Sequence, residues 1–222
     1  MKLAAARLPE AKAPFTIEAY ENGAYRFSDS TWARFFKAKS DVVSASVKKL
    51  SGWFKAEGYR VGLDVFAPFL CPFVGQDMEA LSRCCDWIKP MMYRKVYAPA
   101  GLPFEIDALC RAGCPGAKES WFYHMANGGR KLPDITFLRR DLEEAAARAA
   151  CPIYPGVEVN RLPQIADIAA EDVAKSGNML PEDATDVVLS WNLLCAPEDN
   201  LRAAAGVLGG TVSTGTGEPF FF

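Results

Sequence analysis

The stretch Tyr59-Arg60-Val61-Gly62-Leu63-Asp64-Val65-Phe66-Ala67-Pro68 decides the fold class, because it is an apolar run of strand length that ends at a proline. Three later stretches share this design, at 87–94, 153–160 and 186–192. A helix pattern follows each of them. Strands that alternate with helices are typical of parallel βα units. The sequence therefore predicts a parallel α/β sheet.

The predicted elements follow from local signals. Strands are expected at about 60–67, 87–93, 153–159 and 186–192. A long amphipathic helix precedes them, because Ser28-Asp29-Ser30 offers an N-cap and Gly58 a C-terminal stop. Its apolar residues recur at helical spacing and are expected in the core. Shorter helices are expected near 76–85, 134–149, 169–175 and 198–207.

These signals divide the chain into three parts. Residues 1–27 show no period and are expected to form an irregular N-terminal lead-in. Residues 28–208 hold the helix and the four strand–helix units. Residues 209–222 form a Gly/Thr-rich tail that ends in three phenylalanines.

Composition excludes several classes of function. Half of the 222 residues are hydrophobic and the formal net charge is −2, so no nucleic-acid partner is indicated. No apolar run reaches the roughly 18 residues of a membrane helix, and no signal peptide is visible. We expect no membrane association, and either a cytoplasmic location or a chain truncated at its N-terminus.

The cysteines do not predict a metal site. There are seven of them and a single histidine, His124, whereas a zinc site needs well-spaced Cys pairs or Cys with His. We expect free, mostly buried thiols and no metal or cofactor.

Polar and aromatic residues accumulate where the predicted strands end. In barrels built of βα units, chemistry sits at these ends. Carboxylates, amides and aromatic platforms are typical of a carbohydrate site. A lysine inside an apolar strand must also be paired, so Lys89 is expected to contact Asp64 or Glu158. The candidate residues are Asp64, Lys89, Tyr93, Glu158, Asn160, Trp191 and Asn192.

The strings VGLDVFAP, DWIKPMMYR, APAGLPFE, YPGVEVN and VVLSWNL together resemble the C-terminal strands of TIM-barrel glycoside hydrolases and of glycosidase-like proteins related to them. The resemblance covers roughly 28–208. It implies a partial (half) TIM barrel, with about four parallel βα units preceded by a long helix. It also places the usual fourth-strand acid/base carboxylate upstream of Met1.

The resemblance implies roles for the candidate residues. Glu158 would be the nucleophile and Asp64 a second catalytic carboxylate, although local hydrogen bonding explains either acid as well. Trp191 could stack on a sugar ring or simply fill the core. The remaining substrate-binding candidates are Lys89, Tyr93, Asn160 and Asn192.

Two classes of function remain open. The first is a carbohydrate-active hydrolase that is incomplete as this chain, acting on a carbohydrate substrate. The second is a non-catalytic sugar-binding or interaction half-barrel, or a truncated gene product. An unclosed barrel would expose apolar residues, so either a homo-oligomer that covers the open side or poor solubility is expected. The residues expected at that side are Val61, Leu63, Met91 and Val188.

Overall fold

The computed structural model describes residues 17–113, 134–181, 184, 186–190 and 192–207. Its elements are, in chain order, β1 (Ile17–Glu21), β2 (Ala24–Phe27), α1 (Ser30–Ala56), β3 (Gly62–Phe66), α2 (Cys71–Val74), α3 (Met78–Ser82), β4 (Trp87–Met91), α4 (Leu102–Gly113), α5 (Ile135–Arg148), β5 (Gly156–Val157), β6 (Arg161–Leu162), β7 (Ala166–Asp167), α6 (Ala170–Ser176), β8 (Val188–Leu189) and α7 (Glu198–Val207). Short 3₁₀ turns cover Gly177–Met179 and Leu193–Cys195.

A four-stranded parallel sheet lies at the centre, in the order β3-β4-β5-β8. The predicted parallel pairing of the four strands in sequence order is therefore confirmed. Strands β5 and β8 are shorter than expected, with two residues each. Pro155 limits β5, because it has no N–H to offer the ladder.

Helices cover one face of this sheet. Val65 and Ile88 pack with Met78, Leu81 and Ala145 of the helices on that face. Farther along the same face, Val157 and Val159 pack with Val173 of α6 and Ala204 of α7. Because side chains alternate along a strand, the polar residues next to them in sequence point to the opposite face. Asp64, Lys89 and Glu158 belong to that second face.

The long helix forms where it was predicted. Asp29 caps α1, with its side chain accepting a hydrogen bond from the Thr31 N–H at 2.8 Å, and Gly58 follows the helix with φ +86°. The expectation that all its apolar residues enter the core is wrong for Leu50 and Phe54, which are exposed. Other elements cover only one side of α1, and this side is too narrow to bury all the apolar residues of the helix.

The described part of the N-terminal lead-in, residues 17–27, is less irregular than predicted, and residues 1–16 lie outside the described residues. Strands β1 and β2 form an antiparallel hairpin, joined by Asn22 and Gly23, both with positive φ. Such a turn favours Asn-Gly, so the signal was present in the sequence. The hydroxyl of Tyr25 donates to the Phe69 carbonyl at 2.6 Å, which attaches the hairpin to the loop after β3. The predicted tail at 209–222 lies outside the described residues.

The apolar surface also differs from the prediction. Val61, Leu63, Met91 and Val188 are partly buried and not exposed. They pack against the helix-side clusters or beside neighbouring strands. The large exposed apolar side chains lie elsewhere, mainly on α1 and after β8: Val42, Leu50, Trp53, Phe54, Tyr59, Leu193 and Leu194.

Three further observations concern membrane-spanning helices, metal-binding groups and the cysteines. In the described parts of the chain, no helix is long and apolar enough to cross a membrane. Within the same residues, no group of three or more His, Cys, Asp and Glu side chains could hold a metal ion. Five cysteines are described as free thiols: Cys71, Cys84, Cys85, Cys151 and Cys195.

Candidate functional site

Asp64 and Lys89 form an ion pair on the sheet face opposite the helices. They are direct partners in the register between β3 and β4, so their side chains point to the same face. Lys89 Nζ lies 2.8 Å from Asp64 Oδ2. The lysine is 7% exposed, whereas the aspartate side chain is 60% exposed. Of the two partners predicted for Lys89, the structure supplies Asp64, and its carboxylate reaches solvent.

Tyr93 adds a hydroxyl to this pair. It is buried, and its hydroxyl lies close enough to Lys89 to raise the pKa of the lysine. Gly156 leaves room for both side chains, because an added Cβ would lie 3.2 Å from Lys89 Cε and 3.3 Å from Tyr93 Cε1. Asp64, Lys89 and Tyr93 are called the polar row below.

The polar row holds a charged lysine. Burial, the largest influence, lowers the pKa of Lys89, but its bonds to Asp64 and Tyr93 outweigh burial and leave that pKa above its ordinary value. Burial raises the pKa of Tyr93, so its hydroxyl stays protonated at neutral pH. The row therefore offers one carboxylate acceptor beside a cation and a hydroxyl.

Glu158 has a different environment. Its side chain is almost fully buried, and its two oxygens accept hydrogen bonds from the Lys95 N–H at 2.9 and 3.0 Å. One oxygen also accepts from the Val96 N–H at 3.1 Å. Burial raises the pKa of Glu158 to about 7, and the backbone donors and the Arg94 charge oppose that rise. Glu158 thus holds the loop that follows β4.

The strand register separates Asp64 from Glu158. Asp64 is level with Lys89, Gly156 is level with Met91, and Glu158 lies two residues beyond Gly156. The offset is about four residues, or roughly 13 Å along the strands. The two carboxyl groups of a glycosidase lie about 5–9.5 Å apart. Asp64 and Glu158 therefore occupy different levels of this face.

Asn160 and Asn192 tie the ends of β5 and β8 together. The amide nitrogen of Asn160 donates to the Asn192 carbonyl, and its amide oxygen accepts from the Ser190 hydroxyl at 2.7 Å. The Asn192 side chain caps the following 3₁₀ turn by accepting from the Leu194 N–H at 3.1 Å. Both amides are occupied by the protein itself. Trp191 lies outside the described residues.

The sequence interpretation missed several residues that organise this end of the sheet. Ser190 also accepts from the Val159 N–H at 2.9 Å, and Asn200 donates to the carbonyls of Val159 and Ile168 at 2.8 and 2.9 Å. Ser190 could have been identified from the sequence, because it is a polar residue inside the apolar run VVLSW. Lys95, in the loop after β4, forms an ion pair with Asp172, with its Nζ 2.6 Å from the carboxylate.

A cleft of about 390 Å³ lies elsewhere, between the hairpin, α1 and the segment after β3. Aromatic side chains line it together with Lys37 and Arg148. None of the residues predicted for the carbohydrate site is among its lining residues. The cleft and the polar row are therefore separate features.

Comparisons of the chain with protein-family models, with curated proteins and with solved structures give no match. The function of this chain is therefore inferred from the geometry of the sheet and of the polar row.

Proposed function

We propose that this chain is a carbohydrate-binding half of a (β/α) barrel, glycoside hydrolase-like when further strands complete it. The polar row carries the proposal. It places an exposed carboxylate, a buried ammonium group and a hydroxyl side by side on the face opposite the helices. Sugars bind through hydroxyl groups that donate to carboxylates and accept from cations, and this set of groups supplies both.

The sheet supports the half-barrel interpretation. Its strands are parallel, run in sequence order and bear helices on one face. In a closed barrel the face opposite these helices becomes the interior, and eight strands are required. Four strands account for half of that number, so four more would enclose the polar row.

The chemistry of hydrolysis assigns different tasks to the two acids. Glycoside cleavage uses one carboxyl group as acid and a second as nucleophile or base. Asp64 is the solvent-exposed carboxylate of the polar row and is our candidate for a reacting group. Glu158 holds the loop after β4 through three backbone hydrogen bonds, so we assign it a positioning role. The earlier prediction of Glu158 as nucleophile stays a prediction.

A non-catalytic sugar-binding module is the second candidate. The register favours it, because Asp64 and Glu158 lie at levels about 13 Å apart along the strands. A polar row with one exposed carboxylate can bind a sugar without cleaving it. Hydrolysis would then need a second carboxylate from the completing strands.

The binding proposal is tested by saturation-transfer NMR of the chain with a panel of neutral mono- and oligosaccharides. We expect at least one sugar to bind and Asp64→Asn to weaken binding about tenfold, since a charged hydrogen bond is lost. Asp167→Asn is the matched control, because Asp167 is an exposed aspartate on β7. Absence of binding by the wild type, or equal binding by Asp64→Asn, would contradict the proposal.

The two candidate functions are separated by assays with aryl glycosides. Binding without release of the aryl group identifies the non-catalytic class. Release that Asp64→Asn abolishes and Glu158→Gln retains supports the roles assigned here. Loss of release in a folded Glu158→Gln variant would instead support Glu158 as nucleophile.

A further inference from the structure

The two ends of the helical layer carry opposite charge. Helix α1, which precedes the edge strand β3, contains one acidic residue, Asp41, and six basic residues: Arg34, Lys37, Lys39, Lys48, Lys49 and Lys55. The described residues of 170–207 flank the opposite edge strand β8 and contain five acidic residues (Glu171, Asp172, Asp186, Glu198 and Asp199) and two basic ones (Lys175 and Arg202). We call α1 the basic end and these described residues of 170–207 the acidic end. Their formal charges, +5 and −3, are of opposite sign.

These segments lie at opposite limits of the layer. Helix α1 contacts α2 and α3, and α3 contacts α5. Helix α5 contacts the turn Gly177–Met179, which contacts α6, and α6 packs along α7. The order of the layer therefore follows the order of the strands, with α1 beside one sheet edge and α7 beside the other.

Each end also exposes large apolar side chains. On α1, Val42, Lys49 and Trp53 recur at helical spacing and form one stripe, and Trp53 is 61% exposed. At the acidic end, Leu193 is 58% and Leu194 is 96% exposed. Exposed aromatic and aliphatic side chains beside complementary charges are typical of protein interfaces.

We propose that the basic end of one copy of this chain binds the acidic end of a second copy. Two copies related by a two-fold axis form this contact twice, because each copy contributes both ends. The dimer then joins two four-stranded units, a total of eight strands. The proposal stands on the surfaces of the helical layer and does not depend on sugar binding by the polar row.

The charged residues of the two ends also lie at matching positions along the strand direction. Lys49 lies in the half of α1 that leads to the start of β3, and Asp186 directly precedes the start of β8. Arg34 lies near the opposite end of α1, and Glu198 begins α7 after β8. Neighbouring parallel units therefore place Lys49 level with Asp186, and Arg34 level with Glu198.

The first test is the mass of the full chain in solution, by light scattering during size-exclusion chromatography. We expect a dimer of the 24.3 kDa chain. Its dissociation constant should rise about tenfold or more between low and high salt, since salt screens exposed charges. A monomer at all concentrations would overturn the proposal.

The second test exchanges the charges. Arg34→Glu with Lys49→Glu lowers the formal charge of the basic end from +5 to +1 and places acidic side chains opposite Asp186 and Glu198. Asp186→Lys with Glu198→Lys changes the formal charge of the acidic end from −3 to +1 and places basic side chains opposite Lys49 and Arg34. Each double variant alone should be monomeric, because like charges meet at both contacts. A mixture of the two should form a 1:1 dimer with both contacts restored. Recovery in the mixture also shows that the variants are folded.

Other outcomes would overturn the assignment of surfaces. A dimer retained by the Asp186→Lys, Glu198→Lys variant would mean that the acidic end is not in the contact. No recovery in the mixture, with both variants folded by circular dichroism, would exclude pairing of opposite ends. Trp53→Ser should also weaken the dimer about tenfold, whereas Ile165→Ser, at an exposed turn outside both ends, should not.

Discussion

At the scale of single residues, Gly62 has no room for a side chain, because Trp87 on the next strand lies against it. Gly62 and Trp87 are register partners, and a Cβ on Gly62 would lie 2.0 Å from the Trp87 ring. We expect Gly62→Ala to lower the free energy of unfolding by about 1–3 kcal/mol, because the ring must leave its place beneath Arg60. Urea denaturation followed by tryptophan fluorescence measures the change.

Gly52→Ala provides the matched control. Gly52 lies inside α1, and an added Cβ would meet no atom within 4 Å. Here we expect a gain of about 0.5–1 kcal/mol, since alanine loses less backbone entropy in a helix than glycine. Equal effects of the two substitutions would show that the contact with Trp87 is not what constrains Gly62.

Lys89 shows how far a residue could be interpreted from sequence. A lysine inside an apolar strand predicted an acidic partner, and Asp64 is that partner. The sequence left Asp64 and Glu158 as alternatives, because the register between strands decides which acid is level with the lysine. The backbone donors that occupy Glu158 come from a loop whose course no local pattern specifies.

At the scale of elements, the hairpin depends on a buried hydroxyl. Tyr25 donates to the Phe69 carbonyl at 2.6 Å and links β2 to the loop after β3. We expect Tyr25→Phe to lower the free energy of unfolding by about 1–3 kcal/mol, because a buried carbonyl loses its donor. Faster hydrogen exchange in 17–27 would show that the loss acts on the hairpin.

Tyr97→Phe is the control for that substitution. The hydroxyl of Tyr97 donates to Asp107 at 2.8 Å, but the pair is exposed to water. We expect a change within about 0.5 kcal/mol, since water replaces the lost partner. A similar loss in both variants would contradict the role given to burial.

Elements with strong local signals were predictable. The N-cap at Asp29 and the cap at Asp134 define the starts of α1 and α5, and both helices form where expected. The hairpin was missed, although Asn22-Gly23 is a known turn signal, because its strands of five and four residues are too short to give a clear period. The exposed side of α1 could not be foreseen, since periodicity shows which residues share a stripe but not whether anything covers it.

At the scale of the whole molecule, the parallel order of the four strands was predictable from their alternation with helices. The sequence did not show which of the candidate residues would lie close together. The polar row forms on β3 and β4, whereas Glu158, Asn160 and Asn192 join loops and strand ends farther along the sheet. Strand length and register decide where along the sheet each of these residues lies. Short strands interrupted by proline show only a weak hydrophobic period, so neither could be read from the sequence.

Two buried carboxyl groups link the stability of the whole fold to pH. Asp141 accepts hydrogen bonds from the Tyr20 hydroxyl at 2.6 Å and the Phe69 N–H at 2.8 Å, joining the hairpin, α5 and the loop after β3. Burial raises the pKa of Asp141 to about 7, and it raises the pKa of Glu158 to about 7 as well. In the unfolded chain, both groups titrate near pH 4.

The direction of the pH effect follows from these values. Between about pH 4 and 7 the folded state binds more protons than the unfolded state, so the free energy of unfolding falls as the pH rises through this window. We expect Tm to be higher at pH 5 than at pH 8 by several degrees. Thermal unfolding followed by circular dichroism measures it. The variant with Asp141→Asn and Glu158→Gln should lose most of this dependence, since neither amide titrates. An unchanged slope in that variant would mean that other groups set the pH response.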